Sequence, residues 1–174
     1  VPFTIRDFQP SDFDMLWRID QQCFPPGVSY SRTELKLYIR RLGSFTLLAV
    51  QAAPSEMANP HSGSSLKNSP PIAQPSTTVA GFIVGDADRA NGHIITIDVI
   101  AAARRSGVGS LLLRAAEDRL RQAQCKSVEL ETAVDNVSAL QFYKRHGYSV
   151  IKTFPRYYSN GVDALVLQKD LIPG

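Results

Sequence analysis

The segment 51–78, QAAPSEMANPHSGSSLKNSPPIAQPSTT, divides the chain and limits what it can become. It is rich in Pro, Ser, Asn and Ala and poor in large apolar side chains. It cannot bury enough surface to offset the entropy of ordering it. SFTLLAV before it and VAGFIVGD after it both read as strands. The part ahead of the segment is too small to fold alone, so both flanks must share one core. The segment is therefore read as a flexible insertion that replaces a hairpin turn within a single domain, 1–174. Composition agrees: 44% hydrophobic and 20% charged over 174 residues is ordinary for one soluble domain, and long enough for a real core.

Around the insertion the apolar pattern switches between strand and helix. FTIRDF alternates like a short strand. In SDFDMLWRIDQQCF, Phe13, Leu16, Ile19 and Cys23 recur at helical spacing, with Ser11 or Asp12 placed to cap. FPPG breaks the chain. Ser31 caps a second helix that runs to about Leu42 and is ended by Gly43. Past the insertion, VAGFIVGD and HIITIDVI are strands joined as a hairpin by the turn-rich link ADRANG. A helix over 108–123 puts Leu111, Leu112, Ala115 and Leu120 on its apolar side. SVELET is a strand, 136–146 a helix closed by Gly147, and YSVIKTF and VDALVLQKDL a final strand pair around SNG. The order β-α-α-β-β-β-α-β-α-β-β predicts an α/β fold with a central mixed sheet.

The formal charge is +3 and the pI about 9.0. The arginines are dispersed, with no aromatic-interleaved basic tract, so no nucleic acid is expected as a partner. A basic rim for an anionic small molecule accounts for the excess equally well. Cys23 and Cys125 are too few and too far apart for a disulfide framework, and no Cys/His cluster announces a metal. No apolar run has membrane length and no signal-peptide pattern opens the chain, so no membrane association and a cytoplasmic location are expected.

ARRSGVGSLLL, 103–113, sets two arginines and two glycines at the start of an amphipathic helix. A helix N-terminus offers unpaired N–H groups and a partial positive charge. Glycines admit close backbone approach, and the arginines add charge, which together make a phosphate cradle. The spacing is neither the Walker pattern nor the dinucleotide fingerprint. Taken alone, these residues also fit a plain turn followed by a helix.

The downstream segments favour the cradle. Arg104, Gly107 and Gly109 form R-x-x-G-x-G, which resembles the acetyl-CoA signature of the GNAT family of N-acetyltransferases. DNVSALQFYKRHGY resembles the family's second motif, N-x-x-A-x-x-F-Y-x-x-x-G-[FY], at Asn136, Ala139, Phe142, Tyr143, Gly147 and Tyr148. QQCFPPGVSYS and RYYSNGVDALVLQKDL resemble the branch that acetylates protein N-termini, the ribosomal-protein alanine acetyltransferases. One departure is VIAAARR, which lacks the family's usual proline after the strand. The resemblance implies a GNAT-like single domain: a mixed, mostly antiparallel sheet, flanked by about four helices and splayed between the fourth and fifth strands. It implies acetyl-CoA as acetyl donor and a protein or peptide N-terminal α-amine as acceptor. It also implies that Arg104 and the backbone N–H groups of Arg105, Ser106, Gly107, Val108, Gly109 and Ser110 meet the pyrophosphate. The strand edge Ile97, Asp98 and Val99 would pair with the pantetheine amides by β-addition.

An amine must be neutral to attack a thioester, and the departing thiolate needs a proton, so a base and an acid are both useful. Tyr143 is the acid candidate. It lies two helical turns from Asn136, so one can contact the cofactor arm while the other reaches its sulfur. Tyrosine holds its proton at neutral pH, with a reference pKa of about 10. Without the resemblance, Tyr143 would read as a core aromatic beside Phe142. Glu131 is the base candidate, directly or through water. It shares one strand face with Glu129 and Ala133, lies nearer the C-terminal end where ligands collect, and matches the glutamate of the resembled branch. Glu129 reads as solvated. Phe24, Pro25, Tyr157 and Tyr158 would line the acceptor side, although hairpin packing accounts for the tyrosines equally well. His93 and His146 are poor catalytic candidates, since His146 is explained by its helix end alone. Acetylation of a lysine or small amine is the competing activity. A non-catalytic acyl-CoA-binding module is a further one, against which the joint presence of Glu131 and Tyr143 argues.

Overall fold

The computed structural model describes residues 2–51 and 77–172, so the segment 52–76 lies outside the described residues. The elements follow the expected order: β1 (Phe3–Asp7), α1 (Phe13–Cys23), α2 (Arg32–Arg40), β2 (Ser44–Gln51), β3 (Thr78–Asp88), β4 (Asn91–Val99), α3 (Val108–Gln122), β5 (Ser127–Ala133), α4 (Val137–Arg145), β6 (Ser149–Phe154) and β7 (Ala164–Asp170). They form an α/β domain on one seven-stranded sheet in the order β1-β2-β3-β4-β5-β7-β6. Every neighbouring pair is antiparallel except β4 and β5, which are parallel because α3 carries the chain across between them. β2 and β3 pair as far as Gln51 with Thr78, directly at the ends of the segment 52–76. No helix of the described residues is long and apolar enough to cross a membrane.

The sheet has helices on both faces. On one, Leu16 and Ile19 of α1 and Leu35 of α2 pack on Leu48, Val50, Phe82 and Val84. On the other, α3 lays Leu112, Leu113, Ala116 and Leu120 against Leu47, Ile83, Ile94, Val128 and Leu130, and Tyr143 of α4 joins them. The buried stripe of α3 is rotated from the expected one, with Leu111 and Ala115 only half-buried. The reason is a buried charge. Glu117 lies on this stripe, 3% exposed, where Lys169 of β7 donates to it at 2.9 Å and the Tyr148 hydroxyl at 3.1 Å. A charged residue in a core face hides that face from a reading of apolar spacing.

Local signals at the termini fare unevenly. Ser31 accepts from the N–H of Glu34 at 3.2 Å, and Glu34 accepts from the N–H of Ser31 at 2.8 Å, a reciprocal capping box. α2 stops at Arg40, short of Leu42. Asp12 does not cap α1 with its side chain. Its carboxylate instead accepts from both terminal nitrogens of Arg6 at 2.8 Å and from the N–H of Gln9 at 2.8 Å, while Ser11 sits in the 3-10 turn before the helix. The link ADRANG is mostly strand: β3 and β4 reach Asp88 and Asn91, leaving Arg89 and Ala90 to turn.

One irregularity positions the site. β4 pairs with β5 only from Asn91–Ser127 to Ile94–Leu130. At that point β4 also carries an extra residue: Gly85 pairs with Ile94 and Val84 with Thr96, so Ile95 has no partner in β3. Such a bulge bends a strand and adds twist. β4 and β5 diverge past it, and the sheet splits into a fork, as the resemblance implied.

Candidate active site

The fork opens into a cavity of about 1070 Å³, just above the usual range of small-molecule sites. One wall is the edge of β4 and the start of α3. Residues 95–99 of β4 have no β5 partner, so their outward backbone groups are free of the sheet ladder. In this structure side chains meet two of the carbonyls. The Tyr30 hydroxyl donates to Ile95 O at 3.2 Å, and Arg104 Nε donates to Val99 O at 3.1 Å.

At the mouth of α3 the two glycines differ in purpose. Gly107 has φ +87°, a conformation that side chains resist, and a Cβ there would meet nothing within 4 Å. A Cβ on Gly109 would lie 3.3 Å from the Phe142 ring, so α3 comes close to α4 at that glycine. Arg105 also takes a positive φ of 61°. The N–H groups of Val108, Gly109 and Ser110 belong to the first turn and have no intrahelical acceptor. His146 Nδ1–H donates to Phe142 O at 2.8 Å, which leaves Nε2 to accept from the Ser110 hydroxyl at 2.9 Å and lace α3 to α4. A free N–H row, an open glycine and Arg104, Arg105 and Arg145 along the cavity suit a phosphate-bearing ligand.

The far end of the fork carries the titratable groups. Glu131 lies on β5 just past the last β4 pair and lines the cavity. His93, rated poor in the sequence, is the group beside it: His93 Nε2 lies 2.6 Å from Glu131 Oε2. Tyr143 projects from α4 into the same cavity and is 6% exposed. Burial pushes its phenol above the ordinary tyrosine value, with the charge of Asp98 adding to the effect, so it holds its proton throughout the neutral range.

The opposite wall comes from the α1–α2 link, with Phe24, Val28 and Tyr30, and from the β6–β7 link, with Tyr157 and Tyr158. The two links touch. Ser159 Oγ donates to Gly27 O at 2.9 Å, and a Cβ on Gly27 would lie 3.1 Å from Asn160. Tyr157 and Tyr158 meet edge to face at 5.1 Å, and Tyr157 stacks on Phe154 at 5.8 Å. α1 anchors its link through Asp20, which accepts from the N–H of Tyr30 at 2.8 Å, and through Trp17, whose indole N–H donates to Tyr30 O at 3.2 Å.

The cavity thus gathers Ile97, Val99, Arg104, Arg105, Gly107, Gly109, Ser110, Glu131, Asn136, Tyr143, Phe24, Tyr157 and Tyr158 from the expected set. Four expected residues turn their side chains elsewhere. Asp98 is 1% exposed and accepts from Thr96 Oγ1 at 2.6 Å; Ser106 donates to Ala103 O at 2.5 Å; Val108 is in the core; Pro25 is exposed and does not line the cavity. Asn136 is the cap of α4 instead of its first helical residue. Its Oδ1 accepts from the N–H of Ala139 at 3.2 Å, so its amide nitrogen is what it can offer a ligand. Sequence reasoning assigns no site role to Cys23, Val28, Tyr30 and Arg145, and it rates His93 a poor catalytic candidate. The first three flank or lie within FPPGVSYS, which carried the only available signal.

Residues 14–148 match the acetyltransferase (GNAT) family. An uncharacterized N-acetyltransferase of Methanocaldococcus jannaschii is 39% identical over 99 residues, 56% of this chain and 64% of that protein. N-alpha-acetyltransferase 30 of Homo sapiens is 40% identical over 77 residues, 44% of this chain and 21% of that protein. The matches thus span less than two thirds of either relative. Ard1 from Thermoplasma volcanium superposes with a TM-score of 0.76 at 27% identity, over 99% of this chain and 100% of that one. Two further structures share the fold at 17% identity. The Escherichia coli ribosomal-protein-S18-alanine N-acetyltransferase does so with a TM-score of 0.73, over 99% of this chain and 97% of that one. Arabidopsis thaliana NAA60 in complex with acetyl-CoA does so with a TM-score of 0.72, over 97% and 98%. A match across both sides of the fork, on a sheet that splits where a cofactor arm needs a free edge, makes this chain a member of the acetyltransferase (GNAT) family, whose acetyl donor is acetyl-CoA.

Proposed function

We propose that the chain transfers an acetyl group from acetyl-CoA to the α-amine of a protein or peptide N-terminus. The observation that carries this reading is the contact of Ser159 with Gly27, which roofs the acceptor half of the cavity. A chain end can pass beneath such a roof to Glu131, whereas an internal segment lying across it cannot. The chemistry of the amine points the same way. An α-amine has a pKa of about 7.7–8.0 against about 10.4 for lysine, so it is far easier to present neutral at pH 7. The named N-alpha-acetyltransferase relatives are consistent with it.

Acetyl-CoA supplies the activated acetyl group when bound. The N–H groups at the start of α3 with Arg104 and Arg105 would hold its pyrophosphate, and the outward backbone groups of Ile97 and Val99 its pantetheine amides. Asp98 is excluded from that role, because Ile100 N–H donates to Ala80 O and the same register turns the Asp98 peptide groups toward Phe82 of β3. Glu131 removes the proton of the acceptor ammonium, directly or through water. Tyr143 donates its phenolic proton to the sulfur that leaves. Phe24, Tyr157 and Tyr158 flank the acceptor backbone, and Pro25 shapes the link that carries Phe24.

Two peptides of one sequence, each with one internal lysine, test the reading. One has a free N-terminus and the other a blocked one. Mass spectrometry should find the acetyl group on the free α-amine and the blocked peptide nearly inert. Equal labelling of the lysine in the blocked peptide would transfer the assignment to lysine.

The segment 51–78 is proposed as an insertion within this domain, since Gln51 and Thr78 pair at its ends. Replacing 52–76 by a short Gly-containing turn should move the melting temperature by no more than a few degrees, because closure cost changes slowly with loop length. A large loss would mean that the segment packs on the core.

A further inference from the structure

His93 stands on the last stretch where β4 and β5 still pair, opposite Glu129 of β5 and Asp86 of β3. Its imidazole is one third exposed, and the Glu131 side chain only 18%. Glu131 lines the cavity, and His93 stands behind it. Among the described residues, His93 is the sole hydrogen-bond partner of the Glu131 carboxylate. The base is therefore backed by a second titratable group on the side away from the acceptor.

We propose that His93 is the proton reservoir of the base: the neutral imidazole takes, through Glu131, the proton that the acceptor ammonium loses. This rests on Glu131 acting as base in the acetyl transfer proposed above. His93 touches no substrate and is a positioning residue. The ammonium N–H bond breaks as an O–H bond forms on Glu131. Glu131 then passes a proton across the 2.6 Å contact to Nε2. The set begins as ammonium, carboxylate and imidazole and ends as amine, carboxylate and imidazolium, with charge conserved. The exposed third of the ring returns the proton to water after turnover.

A lone carboxylate, with a reference value of about 4.3, is a poor match for an amine near 7.7–8.0, whereas imidazole starts at about 6.5. The surroundings improve that match. The groups facing His93 are Glu131 and Glu129 of β5 and Asp86 of β3, the last held by Arg41 from the end of α2 at 3.3 Å. Burial disfavours the imidazolium, but the hydrogen bond and charge of Glu131, helped by Asp86 and Glu129, outweigh it and lift His93 above its ordinary value. A general base works best when poised near the operating pH.

The test is the pH dependence of kcat/KM over about pH 5.5 to 9, which brackets the imidazole and α-amine values. The parent, His93→Gln, Glu131→Gln and the double variant are compared by thiol release from saturating acetyl-CoA, on an amine that the parent acetylates. Glutamine keeps an N–H donor toward Glu131 but takes no proton. His93→Gln should lower kcat by about 10-fold or more, within the usual reach of proton-transfer catalysis, and abolish the imidazole limb. Its acetyl-CoA affinity should stay unchanged, and the double variant should be no slower than Glu131→Gln. A His93→Gln profile superimposable on the parent's would overturn the proposal, and so would additive losses in the double variant. NMR titration of the His93 ring gives a reading that needs no His93 substitution. The imidazole pKa should drop in Glu131→Gln, and an unmoved value overturns the pairing. Because the assay uses whichever amine the parent acetylates, failure of the N-terminal acceptor reading shows separately, in the peptide pair.

Discussion

On the α3 side, the cavity presents backbone: the unpaired edge of β4 past Ile94, the first-turn N–H groups after Gly107, and arginines at the rim. On the side of the α1–α2 and β6–β7 links it presents side chains, with Phe24, Val28, Tyr30, Tyr157 and Tyr158 brought together from two distant parts of the chain. The first half needs few residue types, because peptide groups bind whatever the side chains are. Its sequence requirement centres on Gly107, where φ is +87°, and on Gly109, where the Phe142 ring lies close. The second half depends on each side chain and on a link-to-link contact, so it is free to change with the acceptor. One half suits an invariant donor, the other a variable acceptor.

Tyr143→Phe acts at the junction of the halves and should have the largest effect. Removing the phenolic hydroxyl should lower kcat by about 10²- to 10⁴-fold while leaving acetyl-CoA affinity within about twofold. A parent-like rate would remove Tyr143 from the chemistry and leave it as packing.

Gly107→Val strikes the backbone half alone. A β-branched residue at φ +87° is strained by about 1–2 kcal/mol, so calorimetry should show acetyl-CoA binding weakened by about 10-fold. Peptide selectivity should not change. Unaltered affinity would mean that the turn is not the cradle.

Ser159→Ala strikes the acceptor half alone. It removes one hydrogen bond from the roof, about 0.5–1.5 kcal/mol, and should raise the peptide KM several-fold with no change in acetyl-CoA affinity. It should also raise lysine labelling in the blocked peptide. If lysine labelling stays flat, the roof is not what selects chain ends.

The smallest effect lies in the seam between β4 and α1. Asp20 and Asp98 are buried there, each with a carboxylate oxygen that has no partner among the described residues. Burial raises both, Asp20 to about 6 and Asp98 well above the ordinary range. A raised carboxylate favours the folded state fully below its unfolded value, near 3.8, and that contribution is lost as pH rises toward the folded value. For Asp20 the loss falls between about pH 4 and 6; for Asp98 it continues above that. Asp98→Asn should therefore gain in melting temperature over the parent as pH rises from about 4. A gain that shrinks with rising pH would show that Asp98 is ionised and paired in the folded protein.

What could be read from the sequence tracks how local each cause is. The element order, the cap at Ser31 and the turn at Gly107 depend on a few adjacent residues, which made them legible in the sequence. The two GNAT-like motifs added Asn136 and Tyr143 to the cavity wall, because the cap and the body of α4 come from one short stretch of chain. The buried stripe of α3 was misjudged, since the Lys169 that neutralises Glu117 comes from β7. Asp12 was misjudged likewise, since Arg6 of β1 takes it away from α1. Only the tertiary structure decided the pairing of His93 with Glu131, the residue at which the fork opens and the roof between Gly27 and Ser159. Each needs segments far apart in the chain to arrive in one register, and no short pattern encodes the register of parallel strands joined through a helix. The bulge at Ile95 shows why: one extra residue in β4 moves every later side chain to the other face, and HIITIDVI carries no glycine or proline to announce it.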